Sequence, residues 1–543
     1  MKLIPLLTLL LVVWMGAAAS FARAEGEGQA DLDDATALKV NAESARDLEK
    51  VVNLCESAIK KGLDEQNDMF ARQLLTSTLY ENASLLTSQI FDKEEPDPRW
   101  PLMRQIAIPQ LKKALQFNAD MLDAHLLIAR LQALPGGELE DGQRSADAAV
   151  KLAKSDKTKL AQALVLRAQL TENDDRQMAD LNQAVKIDPA NKDALRTRGL
   201  LRLNAGKDEE AIADFEQLIK VDGENATAYH AIAEAMTHLE KYKEARKYAD
   251  KAIKLHPEQS LGYNLRARIS VLEQKVDEAL KDLDKAVEFG PRDISAHLLR
   301  ARLLFEKEKF KEARDDVDRV LLLQPGLAQA LLLRAMIHGN DQKYDDALRD
   351  LQKLVELDPT NTGYLLQMAA YLNASERPRA AIKVYDQVLA EDDADLFALR
   401  GRADAYLSVG DHAKAIGDYE QMLELDEKNS GALNNLAWVL ATSTKDDVRD
   451  AKRAIKVATE ACVVTDYKKA HILSTLAAAY AESGDFAEAR KWSAKAVELA
   501  EGEDAEQLKK ELESYKKEKA WREIQNVKEK PALGDPPGGS FEI

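Results

Sequence analysis

The sequence predicts an all-α solenoid, a stack of about twelve helix hairpins, and three observations carry that prediction. The first is a 34-residue beat that runs without a slip through Asp188, Asp222, His256, Gly290, Gln324, Asp358, Asp392 and Asp426. Proline follows at Pro189, Pro257, Pro291, Pro325 and Pro359, where it stops one helix and sets the start of the next. The second is a pair of small-residue columns on the same beat. One holds Gly199, Ala233, Ala267, Ala301, Ala335, Ala369, Ala403 and Ala437, the other Ala211, Ala245, Ala279, Ala313, Ala347, Ala381 and Ala415. Small side chains let two helices approach where larger ones would hold them apart. The third is composition: aromatics are 6% of the chain, which suits packed helices and not a large β core.

Taken in order, residues 1–24 read as a secretory signal peptide. Lys2 is the positive start, Leu3 to Val13 is apolar but short for a stable membrane span, and Ala22-Arg23-Ala24 precedes a cut at about Ala24. The alternative, an uncleaved anchor, is disfavoured by that length. Export leaves a periplasmic or extracellular chain, soluble after cleavage and with no later segment apolar enough to span a bilayer. Residues 25–40 are acidic and aperiodic and are expected to be a flexible lead-in. Helical periodicity starts near Ala45, and 41–120 is expected to form atypical capping helices, since terminal units of an array are irregular.

The array is placed at 121–503, with regular units beginning at Lys192, Ala226, Ser260, Ile294, Ala328, Thr362 and Leu396. The unit from Ser430 carries an insertion, Ser443 to Arg449, between its two helices. Residues 504–528 are expected to be a capping helix over the end of the stack, and 529–543 a disordered tail. Cys55 and Cys462 stand at opposite ends of the array and are expected to be buried thiols out of reach of one another.

The unit built on Ala194-Leu195, Gly199, Gly206, Ala211, Phe215 and Asp222 resembles the tetratricopeptide repeat (TPR) family, whose period is also 34. The stretch from Asn434 to Thr442, with Leu476 to Tyr480 and Gly484-Asp485-Phe486, looks like exported bacterial TPR proteins. The resemblance implies a right-handed superhelix whose inner groove, lined by the first helix of each unit (helix A), binds a protein or peptide segment. Carried onto this sequence, inward positions in the middle units include Leu298, Leu332, Leu366, Phe305, Met336, Arg268 and Arg302. An apolar floor with basic flanks suits an amphipathic or acidic peptide; the competing reading is that these side chains only pack helix A on helix A. The family's carboxylate clamp is missing, because the fifth helix A positions read Arg196, His230, Asn264, Leu298, Leu332, Leu366, Arg400 and Asn434. Many units also lack the family's glycine in the turn to the second helix (helix B), having Glu240, Gln274, Glu308, Gln342 or Glu376, a local variation.

One column pair is specific to the units. Arginine stands at Arg167, Arg198, Arg266, Arg300, Arg334 and Arg402, and an aspartate follows at Asp180, Asp214, Asp282, Asp316, Asp350 and Asp418. Units without the arginine lack the aspartate too: Ile232 goes with Tyr248, Met368 with Val384, Leu436 with Val457 and Leu476 with Trp492. Both-or-neither is what a partly buried ion pair between helices A and B requires, since a lone buried charge is costly. A ladder reading phosphates is disfavoured because the aspartates already neutralise it.

The formal net charge of −18 argues against a nucleic-acid partner and is compatible with a basic protein partner. No metal spacing, phosphate loop or nucleophile motif is present, so no enzyme and no cofactor are expected. The sequence therefore favours a TPR scaffold for protein–protein interaction outside the cytoplasm. Two alternatives stand beside it. One is an envelope assembly factor acting by self-association, compatible with an oligomer. The other is a periplasmic binder of cell-wall saccharide, for which Trp438, Tyr371 and Tyr406 are the aromatic candidates near helix A.

Overall fold

The computed structural model describes residues 27–91, 98–523 and 529–531. Among the described residues there are 27 α-helices, one short 3-10 turn at Ala153–Ser155 and no strand. The expected signal peptide, and the tail from residue 532 onward, lie outside the described residues. The chain divides into two compact units, one ending at Glu273 and the other starting at Gln274.

In the first unit, the stretch expected to be a flexible lead-in is instead a helix, Gln29–Val40. Its acidic residues hide three apolar positions, Leu32, Ala35 and Leu38, on one face. Leu32 and Ala35 are buried in a cluster with Val51, Cys55 and Ala58 of the next helix, Ala45–Lys61. Gly28 enters so close to that helix that a Cβ there would lie 2.1 Å from the Ala58 carbonyl oxygen. The helices Glu65–Phe91 and Trp100–Phe117 come next and pack on each other through Ala83, Ala107 and Leu111.

From Lys192 on, regularity is visible in every element. Each helix A has 13 residues and each helix B has 14, as in Ile294–Glu306 with Phe310–Leu323. The residue before helix A is commonly Asn or Asp, and its side chain accepts the backbone N–H three residues on: Asn191 from Ala194, Asn225 from Ala228, Asp293 from Ala296, Asp395 from Ala398. Such a cap satisfies a donor that the helix leaves open. Both small columns are fully buried, as Ala301, Ala335, Ala313 and Ala347 show. At Gly199 even a methyl is too large, because a Cβ would sit 2.8 Å from the Phe215 ring.

The A–B turns have one geometry whether or not glycine is present. Gly206 and Gly410 have φ of +70° and +73°, and Glu240, Gln274, Glu308, Gln342 and Glu376 adopt φ between 57° and 61° at the same place. In one such turn the Lys309 N–H donates to Leu304 O and the Glu308 N–H to Phe305 O, both at 2.9 Å, which closes helix A. The turn imposes the left-handed conformation, and the non-glycine residues bear its steric cost.

At the far end the expected capping helix is shorter than 504–528, spanning Gly502–Lys516. Glu518, with φ +53°, turns the chain, and the Lys519 N–H donates to Ser514 O at 3.0 Å. Leu508 and Tyr515 are buried against the preceding hairpin, Ala470–Glu482 with Phe486–Leu499. Residues 519–523 continue without helix, and 529–531, expected to be disordered, make hydrogen bonds with an earlier unit, Lys530 N–H to Glu376 O at 2.9 Å among them. Glu511 on the cap is also buried. It accepts from the Ser474 hydroxyl and from Gln507 Nε2, and burial pushes its carboxyl above the usual range.

The turn and the cap each carry an expected outcome. Glu308→Gly, which relieves the positive φ, should raise stability by about 0.5–1 kcal/mol in a denaturant melt, while Gly410→Ala should lower it by a similar amount. A loss in Glu308→Gly would contradict the strain. Because the folded-state pKa of Glu511 is raised, its favourable contribution is present in acid and lost as pH rises through that value. Glu511→Gln should therefore melt higher than wild type at pH 7.5 and approach it toward pH 4; an unchanged difference across that range would refute the assignment.

Candidate functional site

The arginine column has two arms. In five units the guanidinium meets the helix B aspartate with two parallel hydrogen bonds. Arg300 holds Asp316 at 2.7 and 2.7 Å, Arg334 holds Asp350 at 2.7 and 2.7 Å, and Arg402 holds Asp418 at 3.0 and 2.7 Å. Arg198 with Asp214 and Arg167 with Asp180 are alike. All five aspartates are buried. Bidentate charge-assisted pairs of this kind are the strong ones. For Arg266 and Asp282 the two residues belong to different compact units; Asp282 is buried and Arg266 donates to Asp250 at 2.6 Å.

Sequence reasoning missed the second arm. The remaining Nη1 reaches the helix B of the preceding hairpin: Arg300 to Asp284 at 2.9 Å, Arg334 to Asp318 at 2.8 Å, Arg402 to Asp386 at 2.7 Å, Arg198 to Asn182 at 3.0 Å and Arg167 to Asp147 at 3.1 Å. Each arginine thus ties three helices. Burial pushes the Asp316 carboxyl up, but the hydrogen bonds from Arg300 and His297 outweigh it and hold the pKa below the usual value. The charges of this ladder are spent on one another.

The expected groove residues fall into two groups. Leu298, Phe305 and Leu332 are half-buried against the cluster of Ala301, Leu304, Leu331 and Ala335, and Phe305 meets Phe310 edge-on at 5.5 Å. Leu366 is half-buried against the next cluster along the chain, whereas Met336 is exposed. Arg302 is exposed beside Glu306 at 3.9 Å. Arg268 belongs to the first compact unit, 3.5 Å from Glu234, while the other six belong to the second. The apolar side chains thus contribute to packing and keep one edge open, and each basic flank has an acidic neighbour.

The aromatic candidates are engaged too. The Trp438 indole N–H donates to Glu523, Tyr371 lies against Tyr344 at 5.8 Å, and Tyr406 sits beside Arg402 and Lys414. His230 and His256 line a pocket of about 250 Å³ in the first unit, and burial pushes the His230 imidazole below its ordinary pKa. Cys55 and Cys462 are free and buried, and burial pushes both thiols up, to about 12 and about 11. Among the described residues no cluster of three or more His, Cys, Asp or Glu could hold a metal ion, and no helix is long and apolar enough to cross a membrane.

Stacked hairpins with these columns define a helical repeat array. Family profiles described as "Tetratricopeptide repeat" match residues 328–361, 366–432 and 470–501, and one described as "Tetratricopeptide repeat protein 21 N-terminal ARM repeat" matches 204–338. The chain is a tetratricopeptide repeat protein. Among solved structures it is similar to YrrB, titled a TPR protein with an unusual peptide-binding site, at 20% identity over 34% of this chain and 95% of that one, with a TM-score of 0.32. It is similar to PilF of Pseudomonas aeruginosa at 20% identity over 43% and 99%, TM-score 0.34. A chain of the APC/C hetero-tetramer Cut9–Hcn1 matches at 16% identity over 80% and 98%, TM-score 0.33. A comparison with curated proteins gives no match.

The ion-pair geometry yields a double-mutant test. Asp316 has a second partner in His297, so Arg334 with Asp350 is the cleaner pair. Arg334→Leu should cost about 3 kcal/mol by leaving Asp350 buried and unpaired, and Arg334→Leu with Asp350→Leu should recover a large part of that loss. Denaturant melts of the cycle decide it; simple additivity would mean the two residues do not act as a pair.

Proposed function

We propose that the chain is a non-catalytic scaffold that works outside the cytoplasm and holds a segment of a partner protein along its helix A face. Tetratricopeptide repeats imply protein–protein interaction, and the particular support here is one observation. Leu298, Leu332 and Leu366 recur on the 34-residue beat, half-buried, while Arg300 and Arg334, beside the first two, are already neutralised by aspartate. A row of incompletely covered apolar side chains on a rigid support is what an amphipathic segment can complete. The ladder charges are not free to read a phosphate or a carboxylate. Export rests on the signal-like residues 1–24.

Two measurements test this reading. Fractionation of cells producing the full chain, with N-terminal sequencing of the product, should find it outside the cytoplasm and starting at Glu25; an intact Met1 in the cytoplasmic fraction would remove the export part. Capture from the envelope fraction should enrich a partner with the wild-type chain. Leu298→Glu with Leu332→Glu, checked for unchanged helicity, should deplete that partner by about tenfold or more, as expected for charges placed in an apolar contact. Partners retained by this variant would mean that the face serves packing alone.

A further inference from the structure

Beyond the capping helix the chain turns back over earlier repeats of the second compact unit. Arg522 pairs with Glu482 at 2.5 Å and donates to Ala441 O at 3.4 Å. The Glu523 N–H donates to Thr442 O at 3.1 Å, and its carboxylate receives the Trp438 indole N–H. The contacts resume two repeats earlier, at the A–B turn of the unit that starts at Thr362. There the Glu529 carboxylate receives both the backbone N–H and the guanidinium of Arg379. The Lys530 N–H donates to Glu376 O, and Pro531 O accepts from Arg377 Nε at 2.8 Å. The segment therefore runs against the order of the repeats.

The character of these contacts is informative. At both ends the segment is held through its backbone, as extended peptides are when a protein reads them without demanding many side chains. In addition, each of its two carboxylates meets a dedicated donor, Trp438 Nε1 or Arg379. Arg377 is a built part of the site. Its side chain is only 7% exposed and pairs with Asp345 at 2.8 Å, while its Nε points at the segment's carbonyl. A buried guanidinium aimed at a backbone oxygen is poorly satisfied when that oxygen leaves. Among the described residues here, Ala520, Trp521 and Arg522 are half-buried, and 523 and 529–531 are exposed. Polar contacts of this kind exchange readily for equivalent ones from another chain, because exposed ion pairs are worth little individually.

We infer that the surface from Arg377 and Arg379 to Trp438 is a binding site for a peptide that carries two carboxylates spaced as Glu523 and Glu529 are, with basic residues beside them, and that the chain's own residues 519–523 and 529–531 occupy it in cis. This inference rests on the partner-binding reading above and adds a place and a ligand class to it. A tethered segment acts at an effective concentration of about millimolar, so a partner peptide must either bind more tightly or arrive as part of a larger interface.

The test uses the full chain and, as probe, a fluorescein-labelled peptide of residues 519–531 read by anisotropy. Glu523→Lys with Glu529→Lys loosens the cis segment without touching the site. That variant should take up the wild-type probe with a dissociation constant on the order of 10 µM, and the wild-type chain should bind it about tenfold or more weakly because the site is filled. Adding Trp438→Ala and Arg379→Ala to the loosened variant should abolish binding, as should the two Glu→Lys changes in the probe. The milder Glu523→Gln with Glu529→Gln pair gives the same comparison should the charge reversals perturb folding. No uptake by either loosened chain, or equal uptake by loosened and wild-type chains, overturns the inference. Loss of the envelope partner with Leu298→Glu and Leu332→Glu would then still uphold the scaffold, so the two ideas fail separately.

Discussion

A hairpin made of one 13-residue and one 14-residue helix cannot bury its apolar stripe by itself, and the rest of the structure answers to that constraint. Close approach is the first requirement, and the two alanine columns meet it: their side chains are fully buried because backbones on either side come near enough to cover a methyl. Periodicity is the second. A contact that serves one hairpin must recur at the same place in the next, so the turns, caps and small residues all keep the same beat. Where the beat breaks, the packing supplies a local substitute. The insertion after Thr442 is folded in by the Asp450 N–H donating to Leu440 O and by Arg449, which bonds Ser443 O at 2.7 Å and Glu482 at 2.8 Å.

Apolar contact alone leaves neighbouring hairpins free to slide, and the arginine ties oppose that. Each ties its own helix B and the preceding one to helix A, so sliding a hairpin would break charge-assisted bonds on a buried aspartate. The second arm has a sequence correlate that emerges only once the geometry is known. Where an arginine reaches back, its acceptor is short: Asp147, Asn182, Asp250, Asp284, Asp318 or Asp386. Where the following unit has Ile232, Met368 or Leu436 instead, the same column carries Glu216, Gln352 or Glu420. A guanidinium already anchored by two bonds to Asp316 or Asp350 has little freedom left, and the short side chain matches the distance it spans.

The array was legible in the sequence because its physics is repeated: helix boundaries, small columns and the first arm of each arginine recur every 34 residues. Features that occur once escaped. The helix Gln29–Val40 looked like an acidic lead-in because only Leu32, Ala35 and Leu38 carry its apolar face, and only the neighbouring Val51 and Cys55 make those three positions sufficient. The end of the capping helix at Lys516 was hidden because Lys517 and Glu518 are ordinary helix formers; a left-handed Glu518 closes it, as Glu308 and Glu376 close theirs. The expected groove was legible as a pattern but not as a site. Periodicity cannot tell a leucine that packs from one that waits, and Leu298 and Leu332 do part of both.

The two ends of residues 502–531 illustrate a division of labour. The helix Gly502–Lys516 covers the last hairpin with Leu508 and Tyr515, apolar contacts that are costly to expose and have no ready substitute. Beyond it, residues 523 and 529–531 are held by backbone hydrogen bonds and by the Glu523 and Glu529 carboxylates, contacts that water or another peptide can replace at small net cost. Both segments could have been apolar if closing the stack were the whole purpose. The change from buried tyrosine to exposed glutamate within a dozen residues instead separates a permanent cap from an exchangeable one. Arg377, buried and pointing outward at a carbonyl, marks where the exchange would be felt by the array itself.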